Sequence, residues 1–169
     1  RVRPGLDDKE LTSWNALMIK GYCDAYNAFG EKKFLDAAIN NANRNGGNYW
    51  RGAQGYSHSF KNDKGTANGF LEDYSFSAEA FITLYQCTFD EVWLQHAQEI
   101  TDYAIKHFYD SQSGMFFFTS DDNHELISRK MEINDNVIPA SNSSMAKTLF
   151  ALSIYFDDTL YENYSKQML

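Results

Sequence analysis

Three times along a chain of 169 residues, a strongly apolar helical pattern is followed, after a turn of a few residues, by a second and more polar one. In the first instance Trp14, Leu17, Met18, Tyr22, Tyr26 and Phe29 keep helical spacing, Ser13 is the expected N-cap and Gly30 the stop signal. "EKKFLDAAINNANRN" then supplies a second helix across a tight αα-hairpin turn. The same sequence of patterns returns in "SFSAEAFITLYQCTFDEVWLQHAQEITDYAIKHF", with its turn near Phe89 and Asp90, and in "SSMAKTLFALSIYFDDTLYENYSKQML", with its turn near Phe156 to Thr159. Aligning the turns brings Phe29, Phe89 and Phe156 into register at spacings of 60 and 67 residues, and Ala37 then falls with Ala97. A period this long does not suit tetratricopeptide repeats of about 34 residues or ankyrin repeats of about 33, which argues against a plain solenoid.

The two helices of each pair differ. "ALMIKGYCDAY", "AFITLYQCTF" and "AKTLFALSIYF" are apolar around much of their circumference, whereas "EVWLQHAQEITDYAIKHF" has a clear polar face. First helices are therefore predicted to be inner and second helices outer. The fold class expected is all-α, with three hairpins at roughly 13–45, 73–108 and 142–169 arranged as about half of an α/α toroid. Half a ring leaves two open flanks, to be covered by the missing half, a partner or a second copy of the chain. Connections of this kind in bundles run to roughly 2–8 residues, yet here they span Asn45 to Leu71 and Tyr109 to Ala140. The first is aromatic and glycine-rich, with room for short strands at best. In the second, "GMFFFTSDDNHELISRKMEI" predicts a β-hairpin turning at "SDDN".

Net charge −8, from 15 basic against 23 acidic residues, with no basic run longer than two, excludes a phosphate-tracking surface, so no nucleic acid is expected. No apolar run approaches the roughly 18 residues of a membrane span, and no membrane partner is expected. Cys23 and Cys87 each sit alone in an apolar helical pattern, which reads as two buried free thiols in a reducing compartment such as the cytoplasm. Arg1 at the start and an apparent helix at Leu169 read as part of a longer chain.

Parallel inner helices would gather their N-termini and the long loops on one face of the ring. That face collects Asp7, Asp8, Trp14 and Asn15, then Glu72, Asp73 and Tyr74, then Ser141, Asn142 and Ser143. Carboxylates, amides and aromatic faces around one mouth suit a sugar, whose hydroxyls need hydrogen-bond partners and whose ring faces pack on aromatic planes. Acidic pairs can divide acid and base roles when burial separates their pKa values. Helix capping alone accounts for Ser13, Asp73 and Ser143, because short polar side chains satisfy the free amides of a first turn. Asp7 and Asp8 lie upstream of any cap, and Glu72 precedes an adequate one, so these are the better site candidates. Trp14 reads as core or pocket wall. His58, in "GYSHSF", is a loop histidine able to act as a base. His96, His107 and His124 have no ligand spacing, and neither metal nor cofactor is expected.

"RPGLDDKELTSWNALMIKGY", "FLEDYSFSAEAFITLY", "FDEVWLQHAQEITDYAIKHF", "GMFFFTSDD" and "PASNSSMAKTLFAL" resemble, in order, the C-terminal helical half of the spermatogenesis-associated, thioredoxin-domain-containing proteins, a family long catalogued as uncharacterised. The resemblance covers nearly the whole chain. It implies an (α/α)6 toroid similar to six-hairpin glycosidases and N-acylglucosamine 2-epimerases, with a thioredoxin-like domain as a further partner. The family's motifs fall on Asp7, Asp8, Lys9, Thr12, Ser13, Trp14 and Asn15, on Leu71 to Tyr74, and on Pro139, Ser141, Asn142 and Ser143. "INDNVIPASNSS" departs from it, with Asn136 where glycine is common and Ala140 where serine is common.

Two functions are consistent with these observations. In one the toroid binds or processes a carbohydrate, with Asp7, Asp8, Glu72 and Asp73 as catalytic carboxylates and Trp14, Asn15, Tyr74, Ser141, Asn142 and His58 as ligand contacts. In the other it is a non-catalytic interaction domain serving a thioredoxin-like partner, which would require an exposed apolar patch rather than an acidic pocket.

Overall fold

The computed structural model describes residues 3–61, 64–65, 67–122 and 128–169, the Asn48 side chain excepted. Six helices form three hairpins: α1 (Thr12–Phe29) with α2 (Lys32–Arg44), α3 (Leu71–Thr88) with α4 (Val92–Phe108), and α5 (Ser141–Phe156) with α6 (Thr159–Gln167). Each first helix ends on a residue in the left-handed region, Gly30, Phe89 and Asp157, so the tight turns align within one residue of the register read from the phenylalanines.

α1, α3 and α5 form an inner row. They run parallel: Ser13 meets Asp73 at the N-terminal ends of α1 and α3, and Asn27 meets Cys87 near their C-terminal ends. Glu79 with Ser144 and Gln86 with Tyr155 set the same direction for α3 and α5. Each of α2, α4 and α6 packs against the helix it follows. The core is continuous from Ala16, Ile19 and Cys23 of α1 through Leu71, Phe81 and Leu84 of α3 to Met145, Leu149 and Leu152 of α5.

α3, in the middle of the row, is buried around most of its circumference. α1 and α5 are not, in contrast to the expectation from sequence. Trp14 (66% exposed) and Met18 (52%) lie open on α1, and Phe150 (55%) and Ile154 (64%) on α5, because neither end helix has a neighbouring hairpin on its outer side. Among the described residues no helix is long and apolar enough to cross a membrane.

Both long connections carry short strands. β1 (Glu10–Leu11), β2 (Ser59–Lys61) and β3 (Lys64–Gly65) form an antiparallel sheet in that order, with Leu11 opposite Ser59 and Phe60 opposite Gly65. β4 (Tyr109–Asp110) and β5 (Met115–Phe116) form the hairpin expected in the second connection. Its turn lies at 111–114 rather than at "SDDN": β5 pairs with the chain before it, and the Asp110 carboxylate accepts the Gln112 and Ser113 amides to build the turn. Of the second run expected from sequence, 124–127, with His124, lies outside the described residues, and 128–133 forms no strand, although the Lys130 carbonyl accepts the Phe118 N–H at 2.7 Å.

Candidate active site

Pairing of β1 with β2 determines where the site forms. It carries the segment just before β2 over the first turn of α1, where the Thr12 N–H donates to the His58 carbonyl at 3.0 Å and the Thr12 hydroxyl donates to the Ser57 carbonyl. His58 is thereby held beside the N-termini of α1 and α3. Its Nδ1 lies 2.9 Å from Asp73 Oδ2 and 4.0 Å from Glu72 Oε1. Phe70 packs on the imidazole at 4.7 Å between centroids and stacks on Phe118 at 4.9 Å, an apolar wall on one side of the cluster.

Asp73 is fully buried, and its carboxylate accepts three donors: Ser13 N–H at 2.9 Å, Phe70 N–H at 2.8 Å and the His58 ring. Two helix N-termini thus share one carboxylate, which meets the positive ends of both dipoles. Burial raises the Asp73 pKa, opposed by His58 and by the two amides. With Nδ1 engaged, Nε2 is the ring nitrogen of His58 without a partner among the described residues, and the hydrogen bond to Asp73 raises the imidazole's pKa.

Glu72 is next in chain and opposite in role. Its side chain is 16% exposed, against 0% for Asp73, and it accepts the Ser13 hydroxyl at 3.3 Å. Burial first, then the charge of Asp73, raises its pKa, which favours the protonated form of a carboxyl that stands beside an ionisable imidazole. Glu132 adds to that shift from across the mouth. Its own Oε2 accepts the Ser141 N–H at 3.0 Å, so the start of α5 joins the same region. The Ser141 hydroxyl is buried with no hydrogen-bond partner among the described residues.

Several side chains singled out from sequence serve other purposes here. Asp7 and Asp8 are exposed on the irregular segment leading to β1. Asp8 pairs with Lys61 at 2.7 Å, which holds its carboxyl below the usual range, and Asp7 pairs with Lys9 at 3.7 Å. Among the described residues neither bonds to Glu72, Asp73 or His58. Tyr74 is buried behind the cluster, its hydroxyl accepting Tyr56 N–H at 2.9 Å and its ring stacked on Tyr103. Asn142 is a clamp: Oδ1 accepts Phe116 N–H, and Nδ2 donates to the Phe116 and Glu132 carbonyls, each at 2.9 Å. Asn15 donates to the Leu11 carbonyl and Trp14 lies on the open flank. Ser13 is not an N-cap. α1 starts one residue earlier, and Leu11 precedes it with no side-chain oxygen, so Asp73 does the capping from outside. Ser143 is not one either, because Asp135 and Glu132 accept the first amides at the α5 N-terminus. Glu132 had no signal in sequence: it stands alone in an irregular stretch and is brought in only by the fold.

Two groups have metal-ligand proximity among the described residues: His58 with Glu72 and Asp73, and His107 with Asp121 and Asp122, each with its donor atoms within 4.8 Å. In the first, Asp73 Oδ2 already accepts the Phe70 N–H and faces His58 Nδ1. In the second, His107 Nδ1 lies 2.8 Å from Asp121 Oδ1 and 3.3 Å from Asp122 Oδ2, a proximity that linear spacing concealed.

No family model matches the chain. It is 30% identical over 162 residues to the human protein named spermatogenesis-associated protein 20, an alignment covering 90% of this chain and 21% of that protein. The chain spans about a fifth of the length of the curated relatives it matches. Among solved structures it is similar to a D-mannose isomerase (TM-score 0.72, 16% identity, 95% of this chain and 40% of that one). It is also similar to a family GH76 α-mannanase from Bacteroides thetaiotaomicron (TM-score 0.76, 14% identity, 98% and 45%). At these identities the likeness is one of fold, and the three hairpins are part of an α/α toroid.

Proposed function

For a chain related in sequence to spermatogenesis-associated protein 20 and built as an arc of an α/α toroid, we propose that the mouth at the inner-helix N-termini binds a sugar and acts on it by acid and base catalysis. The observation that carries this reading is the unequal pair Glu72 and Asp73 around His58. Asp73 has every hydrogen-bonding site turned inward and orients the imidazole. His58 Nε2 is the base, and Glu72, whose pKa burial raises, is the acid.

This assignment favours proton transfer over hydrolysis. Glycoside cleavage requires two carboxyl groups facing the bond from about 5–9.5 Å apart, and Asp73 is sealed from any ligand. A base and an acid side by side suit removal and return of a proton next to a sugar carbonyl. The likeness to a D-mannose isomerase is consistent with that chemistry, and the likeness to a mannanase with the same class of ligand.

Calorimetric titration with D-mannose and a mannan oligosaccharide, together with exchange of sugar C–H for deuterium in D2O followed by NMR, tests it. Binding and exchange are expected, with His58→Asn and Glu72→Gln each lowering exchange by roughly 10²–10⁴-fold. Hydrolysis without exchange would replace the isomerase assignment, and absence of both binding and exchange would overturn the sugar reading.

The open apolar flanks favour a second reading, that the chain is an interaction domain through Trp14 and Met18 on one side and Phe150 and Ile154 on the other. Trp14→Glu or Phe150→Glu would then abolish association while leaving sugar binding untouched.

A further inference from the structure

Cys23 and Cys87 are 64 positions apart in sequence, and the packing of α1 against α3 sets Cys87 level with Asn27, one helical turn from Cys23. Cys87 Sγ donates to Asn27 Oδ1 at 3.5 Å across the helix interface. Asn27 is one helical turn beyond Cys23, and residues four apart share a helix face, so Cys87 sits over the stretch of α1 that Cys23 and Asn27 present together. Burial first, and then the nearby Cys87 thiol, push the Cys23 thiol up to about 12. Cys23 is fully buried and Cys87 half-buried, so one thiol of the pair is open to a small oxidant while the other is shielded.

We propose that Cys23 and Cys87 form an intramolecular disulfide that straps α1 to α3 under oxidation. With a peroxide as oxidant, the Cys87 thiolate attacks one peroxide oxygen: an S–O bond forms, the O–O bond breaks and the leaving oxygen departs as water. The resulting sulfenic acid is attacked by Cys23 sulfur. The S–S bond forms, the S–O bond breaks, and the displaced hydroxide takes the Cys23 proton to leave as a second water. Two thiols and one peroxide give one disulfide and two waters. Cys87 reacts first because it is the accessible thiol. Closure by Cys23 is slow near neutral pH and accelerates as pH rises, since only a small thiolate fraction exists at a thiol with a pKa this high.

The strap lies toward the C-terminal ends of the two helices whose N-termini carry Ser13 and Asp73. Oxidation therefore fixes the spacing of α1 and α3 without touching the mouth. The proposal does not depend on what the mouth binds.

The test treats the chain with hydrogen peroxide over a range of pH, blocks remaining thiols by alkylation and maps peptides without reduction. A linked Cys23–Cys87 peptide two hydrogens lighter than the sum of its parts is expected, forming faster at higher pH. It should be accompanied by a rise in Tm of roughly 5–15 °C, reversed by dithiothreitol, as closure of a loop this long implies. Cys23→Ser and Cys87→Ser, checked for native circular dichroism, should each lose both signals. Two alkylatable thiols after oxidation, a Cys87 oxidised to sulfinic acid with no link, or links only between separate chains would each overturn it.

Discussion

Asp73, in the first turn of α3, accepts the backbone N–H of Ser13 in the first turn of α1 at 2.9 Å, sixty residues away. Sixty is also the separation of Asn27 and Cys87, which meet near the other ends of the same helices, and of Phe29 and Phe89 at their turns. Between α1 and α3 the spacing of the apolar repeat is thus the register in which the two helices lie side by side. A carboxylate on one helix can complete the hydrogen bonding of the next and hold a histidine with its second oxygen.

Replacing Asp73 with Asn should destabilise the chain by about 2–4 kcal/mol, because the amide group turns a donor toward donors and leaves buried N–H groups unmatched. Urea denaturation followed by circular dichroism measures this. Asp7→Asn, on an exposed pair, should stay within about 0.5 kcal/mol of the parent. Equal effects from the two substitutions would rule out Asp73 as the organising carboxylate.

His58 should titrate above its ordinary value of 6.5 when followed by NMR of the imidazole C–H signals. A raised folded-state pKa means that the stabilisation from the charged ring is complete below 6.5 and is lost as pH rises through the folded-state value. A midpoint at or below 6.5 would show that the hydrogen bond from Nδ1 to Asp73 is not formed in solution.

Glu72 should behave as a site residue that costs stability. Its raised pKa means that the fold loses stability as pH climbs from 4.5 through the folded-state value, where a carboxylate must be held against burial and Asp73. Glu72→Gln should therefore melt above the parent at pH 7 and close to it at pH 4, in a thermal scan across pH. A variant less stable than the parent at pH 7 would mean that Glu72 is a structural ion-pair member instead.

Asn142→Ala should cost about 2–4 kcal/mol, since it frees the Phe116 amide and carbonyl and the Glu132 carbonyl from one side chain. Hydrogen exchange should localise the loss of protection to the β4–β5 hairpin and the start of α5. Loss of sugar binding with unchanged stability would instead make Asn142 a ligand contact.

Most of the helical framework was legible in the sequence. Trp14 to Phe29 mark α1, the polar face of "EVWLQHAQEITDYAIKHF" identifies α4 as an outer helix, and the phenylalanine register locates the tight turns to within a residue. The site was legible in part. Glu72, Asp73 and His58 are candidates for one face from sequence and do cluster in the fold, whereas Glu132 carries no signal in the sequence. Ser13 and Ser143 were assigned as caps on sound local chemistry, and carboxylates from elsewhere perform that task.

Helical spacing of apolar residues is a property of neighbours in the chain, and so the sequence by itself determined three helical hairpins, their order and the register of the first two inner helices. Only the tertiary structure decided which carboxylate is sealed and which is left part-exposed, which amides each one satisfies, that Glu132 joins them, and that Cys87 packs over the stretch of α1 that holds Cys23 and Asn27. Burial and hydrogen-bond geometry act through space between segments tens of residues apart. A carboxyl becomes a buried anchor or a group with a raised pKa at a part-exposed position according to what packs against it, and not only according to the residues beside it in sequence.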